Sequence, residues 1–197
     1  MGEAKSRRLR IVAEQREAFR QHLLSEANKW SAPATNEEIE LALILDTLPR
    51  RPARRLPKER LQLMGMPPNM CHANCRWYAE GEPARRECLG WLQDADRVYV
   101  LHSLIEIEGE LVCITPSTMG APDTFEFIPD NEVDMIEDNS GYVAFERNGI
   151  KVSHGVRGDP ARMIKKMGKL QKLLLSGVTP YKAMEEIAAT DFDTSDS

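Results

Sequence analysis

A chain of 197 residues with a net charge of −5 and a 42% apolar share has the material for one packed domain with appendages. That charge balance excludes a nucleic-acid binder held by overall charge, and no apolar run approaches the ~20 residues of a membrane span. Neither nucleic acid nor membrane is therefore expected as a partner.

No signal-peptide core opens the sequence, so a cytoplasmic location is the expectation, with the four cysteines as reduced thiols, ligands or a nucleophile. Met1-Gly2-Glu3-Ala4-Lys5-Ser6 fits the loose myristoylation template, which is short enough to match by chance.

Residues 5–30 carry apolar side chains near helical spacing, from Leu9 and Val12 to Ala27 and Trp30. Thr35 with Glu38 three residues on forms a capping box, and a second helix over 36–47 is expected to bury Ile39, Leu43 and Ile44. Residues 1–47 read as an N-terminal helical segment. In Pro49 to Lys58, three prolines and five basic residues argue against a regular helix or central strand, so 48–66 reads as a basic linker.

A helix over about 70–79 follows, then a short helix or turn over 84–94. Residues 96–107 form a strong strand. Glu108-Gly109 is a tight turn, and 110–115 returns antiparallel. Placing the turn there makes paired residue numbers sum to about 217. Residues 124–129 alternate as a strand, and the carboxylates Asp130, Glu132, Asp134, Glu137 and Asp138 read as a solvated loop. Residues 141–146 and 149–153 form a second hairpin about Arg147-Asn148-Gly149. Asp159-Pro160 and Thr179-Pro180 each start a C-terminal helix, within 157–190, and 191–197 is an acidic tail. Helices, then strands, then helices give an α+β fold with a small, largely antiparallel sheet in a core over 67–156.

Chemistry concentrates at Cys71. A cysteine at the mouth of a helix meets free backbone N–H groups and the positive end of the helix dipole, which favour the attacking thiolate. Asn69 is a candidate second oxyanion donor. His102, which interrupts an apolar strand, is the candidate base. Thr115 or Cys113, on the same face of the hairpin, is the candidate orienter of the ring, with Thr115 preferred.

The order Cys71, His102 and a strand position near Cys113–Thr115 resembles papain-like cysteine hydrolases in the broad sense, including NlpC/P60-like and transglutaminase-like domains. Cys71-His72-Ala73-Asn74, Gly90-Trp91, His102-Ser103, Glu108-Gly109-Glu110-Leu111 and Ile114-Thr115-Pro116 also resemble a family of small bacterial and phage proteins without an assigned activity. There an acidic residue usually precedes the hydrophobic-Thr-Pro element, where this chain has Cys113. The resemblance covers about residues 67–130. It implies a papain-like core with a Cys-bearing helix, and a cysteine hydrolase, deamidase or acyltransferase acting on an amide, ester or thioester without a cofactor.

Two other readings stand beside it. Cys71, Cys75, Cys88 and His102, with Cys113 or His154 as further candidates, offer a zinc site, though without paired Cys-x2-Cys knuckles. A non-catalytic protein-binding module, such as an inhibitor of host machinery, would use the helical ends. The stripe Met163, Ile164, Met167, Leu170, Leu173 and Leu174 is ringed by lysines and is expected to pack on the sheet. Trp30, Trp77 and Trp91 are expected in the core. Gly-rich phosphate loops and Gly-x-Ser-x-Gly elbows are absent from the sequence. The partner or substrate is expected to be a protein or peptide. The sequence assigns no oligomeric state.

Overall fold

The computed structural model describes residues 2–117, 121–137, 143–152, 155–190 and 192. Its described residues form an α+β protein with six helices and two sheets, divided into two compact units. One unit comprises residues 1–35 and 159–197, and the other residues 36–158. No helix among the described residues is long and apolar enough to cross a membrane.

The first unit is helical. Helix α1 (Gly2–Trp30) packs with α5 (Pro160–Leu175) and α6 (Pro180–Ala188). Ala27, Leu170, Leu174, Ala183, Ile187 and Phe192 form its core. Asp159 caps α5 by accepting from the Arg162 N–H at 2.9 Å, with Pro160 at the first turn. The stripe on α5 therefore faces helices, and the expected packing on a sheet is not what its apolar side chains find. Any face of sufficient apolar area satisfies such a stripe.

The second unit opens with α2 (Asn36–Thr47). Its buried residues are Leu41, Ala42 and Leu45, whereas Ile39 and Leu43 are exposed, contrary to the expected face. The run Ile39 to Leu45 is apolar on nearly every side, so periodicity alone could not choose the buried one. After it come β1 (Arg51–Arg55), α3 (Lys58–Leu63), α4 (Cys71–Ala79), β2 (Arg85–Gln93), β3 (Val98–Ile107), β4 (Glu110–Cys113) and β5 (Thr124–Pro129). Then β6 (Val133–Glu137), β7 (Val143–Arg147) and β8 (Ile150–Val152) form a separate three-stranded sheet, and β9 (Val156–Arg157) adds to β3. The acidic stretch read as a loop thus holds β6.

The larger sheet runs β2-β5-β1-β4-β3-β9, and a further β2–β3 pairing closes its first five strands into a barrel-like ring. All pairings are antiparallel except β1 with β4. Two sequence expectations are corrected here. Residues 84–94 are mostly the nine-residue strand β2, paired along its whole length with β3 from Arg85↔Ile107 to Gln93↔Tyr99. The supposed linker contains β1, which lies between β5 and β4 at the centre of the order. Pro52 is tolerated because the parallel ladder with β4 begins one residue later, at Ala53↔Leu111.

Strand alternation explains the arginines. Every strand of the ring contributes to an inner cluster of Ala53, Cys88, Leu104, Leu111, Cys113 and Phe127. Arg51, Ala53 and Arg55 share the inward parity, so each arginine reaches one end of the ring while the alanine sits between them. At one end Arg51 pairs with Glu106 at 2.9 Å. At the other lie Arg55, His102 and Cys113.

Outside the ring, α3, α4 and the segment between them cover Ile105, Val112 and Ile114 through Leu61, Cys75 and Met66. On another side α2 packs with Trp91, Tyr99 and Ile128 and with residues of the smaller sheet. A buried link ties the sheets together. Asp130 accepts from the Trp91 indole N–H at 2.9 Å and from the Arg147 guanidinium at 2.8 Å.

Candidate active site

Helix α4 begins at Cys71 after a turn at Pro68-Asn69, with Asn69 in the left-handed region at φ of 60°. Asn74, buried one turn into the helix, fastens this entry. Its side-chain amide donates to the Pro67 carbonyl and to the Thr115 hydroxyl, both at 3.0 Å. Cys71 therefore occupies the first helical position, where backbone N–H groups lack helical partners.

Helix α4 packs on β3, whose ladder with β4 stops at Ile105↔Val112. The backbone N–H groups of Ser103, then of His72 and of Cys71 itself, favour the Cys71 thiolate. Burial pushes its thiol above the ordinary range, and these three donors pull in the opposite direction without overcoming it. The resting group is therefore a protonated thiol, and a base is needed to activate it.

Next to Ser103, on the inward face, His102 lies across from Gly90. Its Nε2 is 3.4 Å from Cys113 Sγ. Arg55 donates to the same sulfur at 3.0 Å and to the Thr115 carbonyl at 2.7 Å. Burial, then the charges of Arg55 and His72, push the His102 imidazole down to about 4. It is neutral at physiological pH, with a lone pair able to take a proton.

On the outward face of the same strand lies a second chain of polar groups. His72 Nδ1 is 2.7 Å from Ser103 Oγ, which donates to Glu87 Oε1 at 2.7 Å. The His72 ring also lies against Phe145, with centroids 4.7 Å apart.

The structure places the sequence candidates as follows. Cys71 opens α4, the helix that packs on the strand carrying His102. Asn69 is exposed two residues before Cys71. Thr115 does not orient the imidazole: its hydroxyl is held by Asn74, and Cys113 takes the place beside His102.

Among the described residues no three His, Cys, Asp or Glu side chains gather as a metal-ligating group. Cys88 packs inside the ring and Cys75 outside it, so the sheet itself separates these two zinc candidates. His154 and Asp138 lie outside the described residues. Trp91 is fully buried as expected, but Trp77 is 60% exposed.

Sequence reasoning passed over Arg55, because a Pro- and Arg-rich segment reads as solvated linker. It also passed over the His72–Ser103–Glu87 chain, whose members lie on three elements. The only sequence signal was the shared inward parity of Arg55 and Ala53, which has no meaning until the segment is known to be a strand. Comparison of this chain with protein-family models, curated proteins and solved structures gave no match.

Proposed function

We propose that this protein is a cysteine-dependent hydrolase or acyltransferase, with a papain-like core in the broad sense, acting on an amide, ester or thioester. One observation carries the reading. Cys71 opens α4, which packs on β3, the strand that carries His102, and the ring of His102 lies 3.4 Å from Cys113 Sγ. In this scheme Nε2 of His102 is engaged by Cys113, which leaves Nδ1 to take the thiol proton as sulfur attacks the carbonyl. The proton then passes to the leaving group, and an acyl-Cys71 remains. The N–H groups at the start of α4, with Asn69 beside them, suit the oxyanion.

The thiol is protonated at rest, so this is general-base chemistry and not a preformed ion pair. That decides the test. Cys71 is partly exposed while Cys75, Cys88 and Cys113 are buried, so selective alkylation would follow from access alone. The informative quantity is dependence on His102. Iodoacetamide should modify Cys71 at neutral pH at a rate that falls about tenfold or more in His102→Gln, with general-base assistance worth ~10²–10⁴ in full reactions. An unchanged rate would remove the base from the scheme.

A non-catalytic protein-binding role is the second reading. It is favoured by the burial that keeps the Cys71 thiol above its ordinary range. Indifference of Cys71 to His102 would support it.

A further inference from the structure

The second imidazole at this site has no part in the scheme above, yet it is the better positioned by hydrogen bonds. Ser103 Oγ donates to Glu87, because an ionised carboxylate only accepts. The hydroxyl has one proton, so it must accept from His72 Nδ1–H. This assigns the tautomer of His72: Nδ1 carries the proton and Nε2 carries the lone pair. Ser103 is wholly buried, so it serves as a relay and not as a nucleophile. His72 directly follows Cys71 at the start of α4, and the Ser103 that holds its ring belongs to β3, on which α4 packs.

From this geometry we infer that His72 is a further catalytic residue, the base that activates water against acyl-Cys71, with Ser103 and Glu87 as its positioning residues. The inference rests on the acyl-enzyme reading given above. The labour is then divided across β3, with His102 on the inward face for acylation and His72 on the outward face for deacylation. In the second step a water oxygen attacks the thioester carbonyl while Nε2 takes one of its protons. The tetrahedral intermediate collapses, and the C–S bond breaks. The imidazolium returns its proton to the leaving sulfur, giving a carboxylic acid, the Cys71 thiol and neutral His72. Glu87, through Ser103, stabilises the transient imidazolium. Burial and then the nearby Arg76 hold the resting ring below the ordinary histidine range, so it is unprotonated and ready at neutral pH.

The experiment uses the full chain and p-nitrophenyl acetate. Nitrophenol release gives acylation as a burst and deacylation as the following phase, and intact mass with peptide mapping locates the acetyl group. The parent protein should acetylate at Cys71 and turn over. His72→Gln should keep the burst but lengthen the life of acetyl-Cys71 by roughly 100-fold, the low end for loss of a general base. Ser103→Ala and Glu87→Gln should lengthen it by about tenfold, with acylation little changed.

Acetyl-Cys71 that hydrolyses as fast in His72→Gln as in the parent would overturn the assignment while leaving the acyl-enzyme reading intact. A parent protein that never acetylates at Cys71 would remove both. A measurement on the unsubstituted protein stands apart from variant folding: imidazole ¹⁵N shifts should show Nδ1 protonated and Nε2 bare in His72. The opposite tautomer would overturn the proposal.

Discussion

Nε2 of His102 lies 3.4 Å from Sγ of Cys113, and Arg55 donates to that same sulfur at 3.0 Å. A thiol is a weak acceptor, and burial keeps that of Cys113 above its ordinary range, so the imidazole is oriented without being made more basic. The position nonetheless has a cation already in place for an anion. Cys113→Asp should therefore be accommodated, its carboxylate shared by His102 and Arg55. The pKa of His102 should rise, and the His102-dependent alkylation of Cys71 should quicken by about tenfold. The check is alkylation of Cys113→Asp with and without His102→Gln. Equal rates for Cys113→Asp and the parent would show that this contact does not set the base.

Acid should unfold the protein through the same histidine. The His102 imidazole is pushed from the ordinary 6.5 down to about 4 by burial first, then by the charges of Arg55 and His72. Between these values the unfolded chain binds a proton that the folded chain refuses, so stability rises with pH there. The contribution is present above about pH 6.5 and lost as pH falls through about 4, a change on the order of 3 kcal/mol. The His72 imidazole is shifted the same way and adds to the trend. Urea midpoints from pH 7 to pH 4 should show the slope, and His102→Gln should flatten it.

The buried pair Asp130–Arg147 predicts a contrast between single and double replacements. Their side chains are 2% and 5% exposed, and Asp130 also holds the Trp91 indole. Removing Asp130 leaves the buried Arg147 only the exposed Glu132 carboxylate, 2.8 Å away, so Asp130→Ala should cost about 3 kcal/mol. Asp130→Leu with Arg147→Met should cost less than either single change, because no uncompensated charge remains. Chemical denaturation of Asp130→Ala, Arg147→Met and the double variant decides the order.

Gly90 should be the least replaceable glycine of the ring. A Cβ there would lie 2.1 Å from the Ile128 carbonyl oxygen and 2.7 Å from the Phe127 ring. Strand β2 pairs with β5 here, at Gly90↔Pro129, so a side chain would pry open the closure of the sheet next to His102. Gly90→Ala should cost more than about 4 kcal/mol or prevent folding. Gly81→Ala, at φ of 75° but with open space about it, should cost only about 1–2 kcal/mol. Thermal melts of the two variants make the comparison.

Local rules read the hairpin and the helix starts correctly. The tight turn at Glu108-Gly109, with φ of 52° and 84°, sets the register Ile107↔Glu110, Glu106↔Leu111 and Ile105↔Val112, each summing to 217 as anticipated. Asp159-Pro160 and Thr179-Pro180 open helices because both signals act within one turn of chain. The helix beginning at Cys71, and the nearness of Cys113 to His102's face, were legible for the same reason. What tertiary structure alone decided depends on partners distant in sequence. Residues 85–93 became a strand because β3 offered them a full ladder and β5 a second one. Residues 51–55 became a central strand because β4 and β5, more than fifty residues away, satisfy their backbone and bury Ala53. Once that strand existed, its alternation carried Arg55 to Cys113. The docking of α4 then brought His72 to Ser103 and left Thr115 to Asn74. No spacing along the chain encodes these meetings, since each joins side chains on elements that only the closed sheet brings together.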